Sequence, residues 1–152
     1  MSLPLAALLL ASASPLPTGL PVPAPSPGWV AQKPAGALAP SLQGKPVVVD
    51  IYASWCSACR TIEPTLRSLR QAKAGKATFV TFDVSDAATL KAARERALAL
   101  GLGPFLEASR SQTSLVAVFD PARGTPVQTF RASTDAAAYA AAISKVQAMI
   151  RR

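Results

Sequence analysis

Apolar residues fall along this chain in short strand-like blocks separated by longer stretches of helical spacing. Val47, Val48, Val49 and Ile51, interrupted only by Asp50, make a β-branched run whose bulk suits a strand covered on both faces. Ala77 to Val84 is a second block rich in strand formers, Leu115 to Phe119 a third and Pro126 to Phe130 a fourth. The turn Asp120–Gly124 is short enough to make the last two a hairpin. Helical spacing fills the gaps. Arg60 to Ala74 predicts a helix bent at Pro64, where one backbone hydrogen bond is lost, and ended by Gly75-Lys76. Ser85 and Asp86 can cap a helix from Ala87 to Leu100, with Leu90, Ala93, Ala97 and Leu98 on one face. Gly101 and Gly103-Pro104 end it, and Phe105 to Arg110 adds one helical turn. Ser133 is expected to cap a last helix through Ile150, with Tyr139, Ile143, Val146 and Ile150 on one face. The order β-α-β-α-β-β-α predicts an α/β fold, a mixed β-sheet flanked by helices.

The pattern changes before residue 41. Leu3 to Ala13 is apolar around Leu8-Leu9-Leu10, too short to span a bilayer, and Ala11-Ser12-Ala13 fits a small-residue cleavage site. Residues 1–13 therefore resemble a secretory signal, although no Lys or Arg precedes the apolar core. The expectation is an exported protein of the periplasm or cell envelope; the alternative is an apolar tail or mis-set start on a cytoplasmic protein. Residues 14–40 read as a linker. Pro15, Pro17, Pro21, Pro23, Pro25, Pro27, Pro34 and Pro40 favour an extended, solvated chain, either a spacer holding the domain near a membrane or a tail without a task. The folded domain is expected over 41–152.

Charge and composition narrow the chemistry. The chain has 152 residues, half of them apolar, enough for one domain with its own core. A net charge of +8 could favour acidic partners, but aromatics are only 6% and the basic residues are scattered, which argues against nucleic acid. There are two cysteines and no histidine. That excludes four-cysteine and mixed Cys/His zinc sites, copper sites built on cysteine plus histidine, and Ser-His-Asp or Cys-His mechanisms. No metal and no cofactor is expected. Redox chemistry or a plain structural disulfide remains.

Both cysteines follow the first strand, as Trp55-Cys56-Ser57-Ala58-Cys59-Arg60. Cys56 falls where strand gives way to helix. Free backbone N–H groups and the helix dipole favour an anion there, so a thiolate at Cys56 should form readily. Cys59 lies three residues on along the same helix face, close enough to form a disulfide with it.

Residues from about 42 to 150, in this order and with Cys-x-x-Cys closing the first long strand, resemble the thioredoxin superfamily. Asp50-Ile-Tyr-Ala-Ser-Trp-Cys-Ser-Ala-Cys-Arg is similar to that family's active-site run, with Trp before the first Cys. Asp50 falls at the position of the family's buried aspartate, and Pro64 at its helix kink. Three positions depart. Where the family carries a cis-proline facing the cysteines, the chain reads Thr113-Ser114-Leu115. The lysine that pairs with the buried aspartate is replaced by Thr81. The residues between the cysteines are Ser57-Ala58, without the imidazole found in oxidases and isomerases. Leu100–Ser111 is longer than in small thioredoxins and resembles exported bacterial and cyanobacterial thioredoxin-like proteins.

The resemblance implies a thioredoxin fold and a protein-disulfide oxidoreductase, more reducing than oxidising. Cys56 would be the nucleophile, Cys59 would resolve the mixed disulfide, and Asp50 would take the Cys59 proton. Asp50 could instead be only a hydrogen-bonded strand-end residue. Trp55, Thr113 and Ser114 would contact substrate, Trp55 alternatively only packing; the hydroxyls and N–H groups of Thr113 and Ser114 would replace the proline in the groove. Arg60 is close enough to favour a thiolate, whereas Arg67, Arg70 and Lys73 read as a solvated face. Expected partners are protein disulfides and an upstream thiol donor, met by a monomer. The rival reading is a redox-quiet binding or assembly module with a structural disulfide.

Overall fold

The computed structural model describes residues 36–152. The signal-like segment at 1–13 and residues 14–35 of the expected 14–40 linker lie outside the described residues. A 3-10 turn at Pro40–Leu42 leads into β1 (Val47–Tyr52), α1 (Ser57–Ala72), β2 (Thr78–Asp83), α2 (Ala87–Leu100), α3 (Gly103–Ser109), β3 (Leu115–Asp120), β4 (Thr125–Arg131) and α4 (Ala136–Ile150). The strands form one sheet in the order β2-β1-β3-β4. β1 and β2 run parallel, joined by the crossover through α1; β3 is antiparallel to both β1 and β4.

Alternation along the strands builds two apolar layers. Val47, Val49 and Ile51 of β1 join Val80, Phe82, Ala117 and Phe119 under α2 and α3. Val48, Val116 and Val118 face the other way, against Ile62, Leu66 and Leu69 of α1 and Tyr139, Ile143 and Val146 of α4. Each fully buried aliphatic or aromatic side chain contributes about 1.5–3 kcal/mol, so these layers fix the register of β1 and β3. Asp50 is the exception: a carboxyl on the α1 side of an otherwise apolar strand.

Several boundaries differ from the expectations. α1 starts at Ser57 because Cys56 caps it. Asp135, not Ser133, caps α4: its Oδ1 accepts the Ala138 N–H at 2.9 Å, while the Ser133 carbonyl accepts the Tyr139 hydroxyl at 2.9 Å. Leu98 is 72% exposed, not buried. The buried positions of α2 are the small Ala93 and Ala97, and Leu98 lies one residue further round the helix. Leu38 to Pro40, inside the expected linker, belong to the packed unit. The Leu38 N–H donates to Pro121 O at 2.8 Å and the Ala39 N–H to Leu100 O at 3.1 Å. Leu38 also passes Gly101 so closely that a Cβ there would stand 3.4 Å from its Cα.

Candidate active site

The loop Ala53–Trp55 carries the chain from β1 to α1, and the Cys56 N–H closes it on Ala53 O at 3.1 Å. Cys56 has extended backbone angles and is the N-cap of α1; its Sγ accepts the Cys59 N–H at 3.1 Å. Sulfur thus stands where an oxygen usually caps a helix, receiving one of the free N–H groups of the first turn. Cys56 and Cys59 are joined by a disulfide with Cα atoms 5.3 Å apart. Cys56 is 7% exposed and Cys59 2%, so Cys56 is the outer sulfur of a closely covered pair. Ala53 packs on both, with Tyr52, Ala58 and Val84 at the edge. The Cys59 Sγ lies 3.9 Å from the carbonyl oxygen of Ile51, an acceptor for its proton once the pair is reduced.

Trp55 is 64% exposed beside this disulfide. It is not a packing residue. Its indole N–H donates to Ser85 O at 3.0 Å, and the Ser54 N–H donates to Ser85 Oγ at 2.8 Å. Ser85 is in turn held by Asp83, whose Oδ1 accepts both its N–H and its hydroxyl. Ser85 was legible only as a capping residue; the actual cap of α2 is Asp86, and Ser85 fastens the loop before the cysteines. Arg60 turns its Nη1 to Ser54 O at 3.0 Å, so its guanidinium helps to hold the same loop.

Asp50 is buried and faces α1. Its Oδ2 lies 3.9 Å from Arg70 Nη2, and its Oδ1 is buried with no hydrogen bond from the described residues. Arg70 also donates from Nη2 to Thr81 Oγ1 at 3.1 Å and from Nη1 to Glu63 Oε1 at 3.3 Å. Burial pushes the Asp50 carboxyl up to about 6; the Arg70 cation pulls it down and the Glu63 anion adds to the rise. Two expectations change here. Arg70 is not on a purely solvated face, and Asp50 does have a cation. Arg67, by contrast, is largely exposed and reaches Glu63 only at 3.9 Å. Tyr139 of α4 is fully buried, and burial, with the nearby Asp50, pushes its phenol up to about 12.

Ser114 touches the site through the same oxygen as Cys59. Its N–H donates to Ile51 O at 2.8 Å, and its own carbonyl accepts the Ala132 N–H at 3.1 Å. That donor is therefore spent inside the fold and is not offered to a substrate, contrary to the sequence expectation. Ser114 is buried with φ at +66°, the left-handed region. Proline, locked near −65°, cannot adopt it. Ser114→Pro is accordingly expected to destabilise the fold by more than ~1 kcal/mol, while Ser114→Gly keeps it. Urea unfolding of the two variants checks this; equal midpoints would contradict it. Thr113, the next residue back, is half-buried beside the site. No group of three His, Cys, Asp or Glu side chains suited to a metal occurs among the described residues.

Residues 38–95, from the turn before β1 into α2, match the Thioredoxin family. A thioredoxin of Alicyclobacillus acidocaldarius is 40% identical over 47 residues, which are 30% of this chain and 45% of that protein. Thioredoxin C-2 of Corynebacterium nephridii is 45% identical over 40 residues, 26% of this chain and 37% of that protein. The chain thus matches less than half the length of these relatives. Among solved structures, Trxlp of Edwardsiella tarda EIB202 is 24% identical with a TM-score of 0.46, covering 67% of this chain and 84% of that one. Fasciola hepatica thioredoxin is 20% identical with a TM-score of 0.47, covering 69% and 84%. With the family match spanning β1, α1 and β2, the mixed four-stranded sheet flanked by helices is a thioredoxin-fold domain of the α/β class.

Proposed function

We propose that this thioredoxin-fold chain is a thiol–disulfide oxidoreductase that reduces protein disulfides through Cys56 and Cys59. The observation that carries the reading is the placement of Cys56 Sγ as the N-cap of α1, accepting the Cys59 N–H. In the reduced protein, the Cys56 thiolate attacks one sulfur of a substrate disulfide. A Cys56–substrate bond forms, the substrate S–S bond breaks, and the first substrate thiolate leaves and takes a proton. Cys59 then gives its proton to the Asp50 carboxylate, directly or through water, and attacks Cys56 Sγ. The second substrate thiol is released and Cys56–Cys59 is left oxidised, the state seen here. Two electrons pass to the substrate, and a partner dithiol must return them.

The reducing direction is supported by what surrounds the sulfur. Ser57 and Ala58, between the cysteines, bring no charge. The dipeptide thus adds no charge to what the helix terminus supplies, so it does not bring the extra thiolate stabilisation a strong oxidant needs. Trp55 and Thr113 would contact the substrate, with Ser114 shaping the loop between them. The near-complete cover over both cysteines favours the second reading, a redox-quiet binding module with a structural disulfide. Export to the periplasm or cell envelope follows from Leu3–Ala13, and a disulfide-permissive compartment suits the pair. A spacer ahead of Leu38, membrane proximity and a monomeric state are part of the same reading. Among the described residues no helix is long and apolar enough to cross a membrane.

A single-turnover experiment tests the activity. Pre-reduced protein mixed with a protein disulfide should form one Cys56–Cys59 bond for each substrate disulfide reduced. A dithiol that stays reduced while the substrate stays oxidised rules the activity out.

A further inference from the structure

Asp50 sits directly across from Thr81 in the parallel register of β1 and β2. The cation that reaches its carboxylate nevertheless comes from elsewhere, from α1, the helix that begins with the cysteines. Cys59 and Glu63 are four residues apart and Glu63 and Arg70 seven, so the three share one stripe of that helix. Arg70 is fixed at two points, Thr81 Oγ1 at 3.1 Å and Glu63 Oε1 at 3.3 Å, with Nη2 3.9 Å from Asp50 Oδ2. At that distance it acts on Asp50 as a charge, not as a hydrogen-bond donor. Glu63 presents the opposite charge to the same carboxyl.

Resting on the oxidoreductase reading, we infer that Arg70, held by Thr81 and Glu63, is a positioning residue that keeps Asp50 ionised for the proton step at Cys59, and that Glu63 opposes it. The other groups facing Asp50 do not compete. Tyr139 from α4 stays neutral over the working range because burial pushes its phenol up to about 12. Thr81 from β2 does not titrate. The cysteines in the oxidised protein carry no proton. The helix that holds the resolving sulfur thus also carries the charge that keeps its proton acceptor open. A carboxyl buried in an apolar strand would otherwise hold its proton to higher pH and refuse the one from Cys59.

The inference fixes signs that a merely structural Arg70 would not. In the oxidised protein, followed by the carboxyl carbon resonance of Asp50 against pH, Arg70→Met should raise the Asp50 midpoint by about one pH unit or more. Glu63→Gln should lower it, and Arg70→Lys should restore most of the wild-type value. In single-turnover resolution of a mixed disulfide, the pH midpoint should move the same way in each variant. Should Arg70→Met not fold, Glu63→Gln decides alone through its opposite sign. An unmoved Asp50 midpoint in folded Arg70→Met, or a rise in Glu63→Gln, overturns the inference. So does a shifted carboxyl midpoint with an unshifted resolution profile. Because the resonance is read without substrate, a chain that reduces nothing would fail the activity experiment and leave this charge relation separately measured.

Discussion

Cys59→Ser should accumulate covalent complexes with protein disulfides that reductant dissolves, whereas Cys56→Ser should trap none. The difference follows from where the two sulfurs stand. Cys56 caps α1 and receives a backbone N–H, so its thiolate is favoured and it is the outer sulfur. Cys59 lies one turn inside the helix, is 2% exposed, and has its sulfur against Ile51 O, away from any incoming chain. Removing Cys59 leaves the attack intact and removes the only thiol able to break the Cys56–substrate bond. A serine hydroxyl at that place cannot substitute, since its oxygen neither ionises at neutral pH nor cleaves a disulfide. Non-reducing gels of both variants, mixed with protein disulfides, make the comparison. Equal trapping would overturn the assignment, and none by either variant would favour the binding module.

Asp50→Asn should have two opposite effects near neutral pH. The mixed disulfide should resolve roughly a hundredfold more slowly, the lower range of what a positioned general base contributes. The folded protein should at the same time be more stable. With its carboxyl pushed up to about 6 by burial, against 3.8 unperturbed, folded Asp50 still holds a proton where the unfolded chain has released it. The stability tied to this group is therefore fully present below pH 3.8, falls as pH rises, and is gone above about 6. Holding the charged form at pH 7.5 costs on the order of 2–3 kcal/mol, the free-energy difference between a carboxyl that titrates at 3.8 and one that titrates at about 6. Asparagine removes that cost, so its advantage over the wild type should grow from near zero in acid to that size at pH 7.5. Urea unfolding at both pH values measures it, and an equal difference at both would show that the carboxyl is not the cause. The wild-type resolution rate should rise with pH through about 6, as Asp50 becomes able to accept a proton.

What the sequence disclosed and what it hid have physical reasons. α2 lies where Asp86 and Gly101 place its ends, because capping chemistry is local. The β1 run and the Cys-x-x-Cys after it set the site, since a strand buried on both faces and a helix start are both written in neighbouring residues. Arg70 was hidden because its partner is 20 positions away on another element. The Glu63–Arg70 spacing on the Cys59 stripe was the signal that could have found it. Ser114 was hidden because nothing in a serine announces a left-handed backbone, which only the chain around it imposes. Leu38 was masked by proline density, which marks extended chain but not whether that chain lies in solvent or against Gly101. Leu98 shows the limit of periodicity: alanines alone form the buried seam of α2, and an apolar neighbour is left outside.

The reduction potential of the Cys56–Cys59 couple tests the central claim most directly. The protein is equilibrated in dithiol–disulfide buffers of graded ratio, with the indole fluorescence of Trp55, next to the disulfide, as the readout. A working dithiol should reach equilibrium readily at a potential between about −270 and −180 mV, the reducing side of known exchange proteins. A bond that resists the buffers and stays oxidised below about −300 mV would be a structural disulfide and would contradict the account.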